Sequence, residues 1–442
     1  MQVPERAIDG RPLSAIESKG DRRVRIVGKG AREHALFEWA KRSPQVEYVD
    51  ITPGNGGTAV HNISIPEKDM DAQVADAKAR RIDTVIIGPE DPLALGFVDR
   101  MNEAGIHAFG PRKDEAQLEA DKWFAIQILR AAGVLHPETY AFHDKESAKA
   151  YVKKIGYENS VGKEQGLKAG KGVVVWNSLE EADEAIDRVF KDSQLYLIQE
   201  RIKDATEGSF MAFVDGENII PLPSARDHKR IGENDTGPNT GGMGAFAPNP
   251  DMTPEVNARI MTQAAIPIIQ EMKKRGLDFK GILYLGLMFD KNGNMYVTDT
   301  NVRGGDPELP VDLTLLEDDV DLIEVVDAVR TGTLQSKHLR FKKNTVVLGI
   351  VAASRGYPEK PETGYPIDGL NQELDDNSFI FHAGTKVSGD KTVTNGGRVL
   401  LAVGRGKDFV IAKKRATKTV EQIVFEGKQS RGDIGNTVIY QA

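Results

Sequence analysis

The sequence contains no cysteine. That removes structural disulfides, thiolate catalysis and cysteine-ligated zinc together. No apolar run approaches the roughly 18 residues of a membrane span. Residues 1–20 hold acids and prolines but no apolar stretch, so they do not read as a signal peptide. A surplus of positive charge is missing too. Lys and Arg total 58 against 66 Asp and Glu, a net charge of −8. Such a chain is a poor nucleic-acid or anionic-membrane binder, while leaving room for a local basic pocket. A cytoplasmic protein with neither nucleic acid nor membrane as partner is the expectation.

Glycine is what the chain has in quantity, 44 of 442 residues. It favours tight turns and close backbone approach to ligands. The length exceeds what one hydrophobic core serves, which predicts several domains. Short apolar strands at 24–27, 46–51, 84–87 and 107–109 alternate with helical patterns at 32–41, 71–80 and 95–103. That alternation predicts a parallel α/β sheet, which binds ligands at the carboxyl ends of its strands. A helix over 115–132 follows, closed by Gly133. Residues 137–202 read as a small α+β module, with strands at 173–176 and 195–199 and a helix at 179–190. Thr253 and Pro254 supply the N-cap and first residue of a helix to about residue 275, kinked near Pro267. Strands at 283–290 and 295–299 flank a hairpin turn at 291–294. From residue 346 onward the chain is strand-rich. The fold class is thus mixed: an N-terminal parallel α/β domain, a central α+β region with an inserted module, and a strand-rich C-terminal domain.

Four motifs carry chemistry. The first is Gly28-Lys29-Gly30-Ala31-Arg32-Glu33-His34, between a strand and a helix, where backbone N–H groups can meet a phosphate. A dinucleotide fingerprint would need a third glycine where Glu33 stands, although Asp50 sits about where a ribose-binding acid belongs. A phosphate site, an NAD site and a purely structural turn all stay open. Pro53-Gly54-Asn55-Gly56-Gly57-Thr58 and Gly88-Pro89-Glu90 follow the next two strands. Three glycine turns at successive strand ends suggest one shared pocket. A sugar phosphate suits it, with amides for the phosphate and carboxylates such as Glu90 for hydroxyls.

The second motif runs from Lys163 through Gly166, Gly170, Lys171 and Gly172. Such a loop can close over nucleotide phosphates; the plainer reading is a solvated basic hairpin. It is not a P-loop, because Gly172 stands where Ser or Thr should meet Mg²⁺. The third is Asp227-His228-Lys229-Arg230 ahead of a glycine-dense loop at 237–244 containing Asn239 and Thr240. His228 is expected to be structural. The fourth runs from Asp299 to Glu308. Asp299 and Asn301 alternate on one strand face and together offer hard oxygens to Mg²⁺. Arg303 shares that face and can clamp a carboxylate in two-pronged fashion. The plainer reading is a strand end with ordinary polar residues.

In this order the four regions resemble the phosphoribosylamine–glycine ligase family of the ATP-grasp superfamily, from about residue 24 to 435. The most specific stretches are 227–230 with 237–244, 283–288 and 303–308. Residues 381–385, 396–400 and 431–435 extend the likeness into the C-terminal part. The resemblance implies an extension at 1–22, an N-terminal substrate domain at 23–119, an ATP-grasp core at 120–136 and 205–345, a lid at 137–204 and a C-terminal domain at 346–442. It also implies an ATP-dependent ligation in purine biosynthesis. Glycine and 5-phosphoribosylamine would join through a glycyl phosphate, releasing ADP and phosphate. Mg²⁺ or Mn²⁺ is the implied cofactor and a monomer the implied state.

By position, the resemblance assigns ATP to Lys122, Lys163, Gly166, Gly170, Lys171, Gly172, Glu200 and Glu207. It assigns the metal to Asp299 and Asn301. Phosphoribosylamine falls to Gly28, Gly30, Arg32, Glu33, His34, Pro53, Gly54, Asn55, Thr58, Gly88, Pro89 and Glu90. Asp227 and Arg303 would hold glycine's ammonium and carboxylate as the catalytic pair. Lys229, Asn239, Thr240, Asp306 and Glu308 would line the same site. The chain departs from the family pattern at Asp299 (usually Glu), Gly304 (usually Phe), Gln165 (usually Asp) and Gln199 (usually Glu). The alternatives are a divergent ATP-grasp ligase with other substrates, or a nucleotide-binding paralogue without turnover.

Overall fold

A computed structural model describes residues 20–167 and 172–440. Four parallel strands form the N-terminal sheet, in the order Val46–Pro53, Arg22–Gly28, Thr84–Ile87, His107–Phe109. Their runs of Val and Ile suit a sheet covered on both faces. Val24, Ile26 and Ile51 are fully buried. The helix Ala31–Arg42 leaves the first strand with Glu33 in its first turn and Lys41 and Arg42 in its last, matching the helix dipole.

The helix expected over 115–132 is two helices, Lys113–Ala120 and Lys122–Ala131. Asp121 breaks it with extended backbone (φ −122°, ψ 101°), and its carboxylate accepts from the Phe124 N–H at 2.9 Å. Aspartate competes for backbone donors and so favours an N-cap over a helix interior. The helix expected at 95–103 begins only at Phe97, because Gly96 adopts φ +87°. A short helix, Glu90–Ala94, precedes it. The strand expected at 173–176 shrinks to Val173–Val174, while Trp176 turns inward and its Nε1 donates to the Tyr157 carbonyl at 2.9 Å. Thr253 caps its helix as expected. The disturbance near Pro267 is a π-turn, Met261–Ala265, between the helices Pro254–Ile260 and Ile266–Lys274. A wide turn accommodates the hydrogen bond that proline cannot make.

The central sheet is antiparallel, ordered Ile219–Pro221, Thr206–Asp215, Lys280–Phe289, Met295–Asn301. A smaller antiparallel sheet of Thr139–Phe142, Tyr196–Glu200, Ser160–Glu164 and Val173–Val174 forms the inserted module. The C-terminal sheet has five strands, in the order Arg226–Asp227, Gly244–Ala247, Val346–Ala353, Arg398–Gly406, Ser378–His382. Its first two strands come from the middle of the chain. The helix Phe409–Gln422, which strand-directed reading missed, covers this sheet through Ala412, Ala416 and Val420.

Candidate active site

The strand-end turns are built around a carboxylate. Glu33 folds back so that its Oε2 accepts from the Gly30 N–H at 2.6 Å and its Oε1 from Arg32 Nε at 2.5 Å. A Cβ on Gly28 would stand 2.3 Å from Glu33 Cγ, and one on Gly88 would stand 2.1 Å from Glu33 Oε1. Both glycines therefore make room for Glu33. Arg32 Nη1 continues to the Gly304 carbonyl at 2.8 Å, tying this turn to the central domain. The Gly30 amide is thus engaged internally by the Glu33 carboxylate. Asp50 pairs with Arg25 at 2.7 and 2.8 Å, fully buried, and is not presented to a ribose. With Glu33 in the turn and Asp50 sequestered, the dinucleotide reading fails.

Three further expected ligands make hydrogen bonds within the protein. His34 Nδ1 accepts from the His382 N–H at 2.8 Å, and the ring lies edge-on to Phe381. Thr58 is buried, its Oγ1 accepting from the Asn55 N–H at 3.0 Å and donating to Asn62 Oδ1 at 2.7 Å. Asn55 Nδ2 donates to both the Lys29 and His382 carbonyls, at 3.0 and 2.8 Å. These residues fasten the C-terminal sheet to the pocket turns. Gly54, through its N–H to the Gly28 carbonyl at 3.1 Å, joins the first two turns. Pro53 ends the second strand, and Pro89 caps the short helix that Glu90 begins.

Arg303 is the hub between the N-terminal and central domains. Its Nε meets Glu90 at 3.2 Å, and its Nη2 meets Glu119 at 2.9 Å and Asn301 Oδ1 at 3.1 Å. Burial pushes the Glu90 carboxyl up, but Arg303 and Arg32 outweigh it and hold it at about 2. Glu119 is deeper. Burial there dominates and raises it to about 7, against Arg303 and with Glu90 adding. Its Oε2 also accepts from the Val302 N–H at 2.9 Å. Glu119 was missed because the continuous-helix reading placed it mid-helix; Asp121 was the available signal.

A second cluster faces the same region. Asp227 lies in the C-terminal sheet opposite Ala245, with Lys229 Nζ 3.9 Å away. Burial raises the Asp227 carboxyl to about 6; Lys229 opposes this and Glu308 adds to it. Asp227 in turn drives the Lys229 ammonium well above its usual value. Glu308 Oε1 accepts from Tyr284 Oη at 2.9 Å. Thr240 donates to the Lys229 carbonyl through both its N–H and its hydroxyl, at 2.7 Å each. Asn239 pairs with Arg230 in a two-stranded ribbon. Asp306 Oδ1 lies 3.4 Å from Arg398 Nη1, which also donates to the Gly241 carbonyl at 2.8 Å. His228 packs against Phe246, ring centroids 5.8 Å apart.

Between the inserted module and the central sheet is a cleft. Lys163 crosses it, its Nζ donating to the Thr298 carbonyl at 2.6 Å. Burial pulls this ammonium down to about 8; Asp299 opposes that, and Lys122 and Lys229 reinforce it. Lys122 Nζ donates to the Gly166 carbonyl at 2.6 Å. Glu200 and Glu207 are exposed at the ends of their strands. Gln199 instead points into the module, donating to Thr139 Oγ1 at 2.8 Å. Gln165 Nε2 donates to Asp121 Oδ1 at 2.9 Å. Gly172 donates no side chain but its carbonyl accepts from the Glu164 N–H at 2.8 Å. Gly170 and Lys171 lie outside the described residues.

Asp299 pairs with Gly286 and Asn301 with Tyr284 in unbroken register, so both side chains take one face. Asp299 is exposed to the cleft; Asn301 is buried beneath it, its Oδ1 engaged by Arg303. Among the described residues no group of three or more His, Asp or Glu is gathered for a metal. The hard-oxygen pair fits a divalent ion that takes its remaining ligands from phosphate and water.

Models of phosphoribosylglycinamide synthetase match the chain in three consecutive parts: the N domain at 22–119, the ATP-grasp (A) domain at 120–309 and the C domain at 347–437. The chain belongs to the phosphoribosylglycinamide synthetase family. A phosphoribosylamine–glycine ligase of Vibrio vulnificus strain YJ016 is 42% identical over 426 residues, covering 94% of this chain and 98% of that one. The crystal structure of the Thermotoga maritima phosphoribosylamine–glycine ligase aligns with TM-score 0.78 and 33% identity, over 93% of this chain and all of that one. The biotin carboxylase domain of Hydrogenobacter thermophilus 2-oxoglutarate carboxylase aligns with TM-score 0.71 at 17% identity, over 92% of this chain and 91% of that one, a likeness of fold alone. Among the described residues no helix is long and apolar enough to cross a membrane.

Proposed function

We propose that this synthetase-family chain joins glycine to 5-phosphoribosylamine at the expense of ATP, giving glycinamide ribonucleotide, ADP and phosphate in purine biosynthesis. The observation that carries this reading is the hub at Arg303. It links Glu90 of the strand-end turns to Asn301 of the cleft, so one residue spans both halves of a two-substrate site.

A carboxylate is a poor electrophile. An oxygen of glycine's carboxylate attacks the γ-phosphorus of ATP, the bond to the β-phosphate oxygen breaks, and ADP leaves. The phosphoribosylamine nitrogen then attacks the carbonyl of glycyl phosphate, phosphate departs and the nitrogen loses a proton. The protein's share is positioning and charge neutralisation. Lys122 and Lys163 offset phosphate charge, Gly166 and Gly172 frame the loop beside them, and Glu200 and Glu207 receive the nucleoside. Asp227 accepts the glycine ammonium and Arg303 faces its carboxylate, with Lys229, Asn239, Thr240, Asp306 and Glu308 around them. Glu90 and Pro89, with the Gly28, Gly54 and Gly88 turns, bound the phosphoribosylamine end. Asp299 and Asn301 would hold a divalent metal, Mg²⁺ or Mn²⁺, which lowers the charge barrier at the transferring phosphoryl group.

The test is phosphate release by purified protein. ADP should appear only when glycine and phosphoribosylamine are both present. AMP and pyrophosphate as products would rule out the acyl-phosphate route.

A further inference from the structure

A basic site lies in the C-terminal half, away from this cleft. At the far end of the strand Arg398–Gly406 a cavity of about 380 Å³ opens between Lys342, Asn377, Arg405, Lys407 and Arg415. That falls within the ~300–1,000 Å³ of small-molecule sites. The chain as a whole carries −8, yet four cations converge here. Two are neutralised: Lys342 lies 2.8 Å from Asp318 and Arg415 lies 3.1 Å from Asp375. Arg405 and Lys407 have no carboxylate at ion-pair distance among the described residues.

Arg405 is fixed by neutral acceptors instead: Asn377 Oδ1 and the Thr314 carbonyl at 2.9 Å each, and the Asp376 carbonyl at 3.2 Å. These orient the guanidinium without cancelling its charge, and three bonds leave part of its donor fork uncommitted. Burial lowers its affinity for its proton; Asp318 opposes this, while Arg42 and Arg415 act in the same direction as burial. Arg405 and Arg415 are thus held close at this site despite their like charge.

We propose that this cavity binds a phosphate-bearing small molecule, with Arg405 as the rigid anchor and Lys407 as the second cation. A phosphate presents several acceptor oxygens to a planar fork and an ammonium at once. The site is separate from the nucleotide cleft. Arg398, which lies 3.4 Å from Asp306 at the substrate end of the active site, is seven residues back along the same strand. At ~3.3 Å per residue that is roughly 23 Å.

Calorimetry on the full chain, with the active site saturated by Mg²⁺ and ADP, tests this with inorganic phosphate and AMP as separate probes. At least one probe should still bind. Lys407→Glu should weaken that binding ~tenfold or more, the worth of one charge-assisted contact, and leave turnover without the probe unchanged. Arg405→Gln should do the same; if it fails to fold, Lys407→Glu decides. Equal affinity for both probes identifies the phosphate group as the whole ligand, and tighter AMP identifies a nucleoside monophosphate. No binding of either, affinity unchanged in Lys407→Glu, or binding of single-stranded RNA alone would each overturn the proposal.

Discussion

At the scale of single residues, Asp299 stands where the family resemblance leads one to expect glutamate. Its carboxylate is one methylene shorter than the usual glutamate, yet it is exposed to the cleft and felt electrostatically by Lys163 and Lys229. A shorter arm reaches Mg²⁺ through a shifted metal or an intervening water, because Mg²⁺ keeps waters readily. Asp299→Asn keeps the shape and removes the charge. It should cut turnover by ~10²-fold or more if the metal contributes several kcal/mol of charge stabilisation. Asp299→Glu should retain activity and lower the Mg²⁺ requirement. A metal titration of turnover for the three proteins decides; an Asn variant with normal metal dependence would remove Asp299 from the site. The residue pattern made Asp299, Asn301 and Arg303 visible, because strand alternation needs only local sequence. It could not show that Arg303 is already shared by Glu90 and Glu119, since Glu90 lies 213 positions away and Glu119 beyond a helix break.

At the scale of elements, the break at Asp121 matters beyond secondary structure. Asp121 caps the helix that starts with Lys122 and also accepts from Gln165 of the inserted module. One carboxylate thus sets both the first turn of a core helix and the side chain of Gln165, just past the strand Ser160–Glu164. Asp121→Ala should cost about 1 kcal/mol of stability for the lost cap. It should also weaken ATP binding, because Lys122 loses its fixed helical position; denaturant melts and nucleotide calorimetry measure the two effects. Lost stability with unchanged ATP affinity would confine Asp121 to capping. Periodicity read 115–132 as one helix because apolar spacing continues in phase across residue 121. A single aspartate within such a pattern carries less weight than the pattern, and here the cap won. The two central strands of the N-terminal sheet were legible to within two residues, since each holds a short run of Val and Ile bounded by glycine or charge.

At the scale of the whole molecule, the pocket turns are clamped by the C-terminal sheet through His34, Asn55 and His382. Burial depresses both imidazoles, His382 to about 4 and His34 well below the usual 6.5, with His382 and Lys41 adding to the effect on His34. In the unfolded chain both take protons near pH 6.5, while the folded protein resists. Stability is therefore full above about pH 6.5 and falls as the pH drops towards 4. The slope is up to ~1.4 kcal/mol per pH unit for each imidazole. Urea unfolding at pH 7, 6 and 5 should show this loss, and His34→Gln or His382→Gln should flatten it. An unchanged slope in both variants would place the acid sensitivity elsewhere.

The five-stranded C-terminal sheet also sets a timetable for synthesis. Gly244–Ala247 has its long neighbour in Val346–Ala353, and among the described residues the strand Arg226–Asp227 pairs only with Gly244–Ala247. The segment bearing Asp227, Lys229 and Thr240 therefore leaves the ribosome about a hundred residues before the strand that anchors it. At ~5–20 residues per second this is a wait on the order of 5–20 s. Throughout it, an apolar edge lies unpaired, open to mispairing with another nascent chain or to capture by a chaperone. The substrate end of the site, at Asp227 and Lys229, is thus assembled last, when the strands beyond residue 346 arrive.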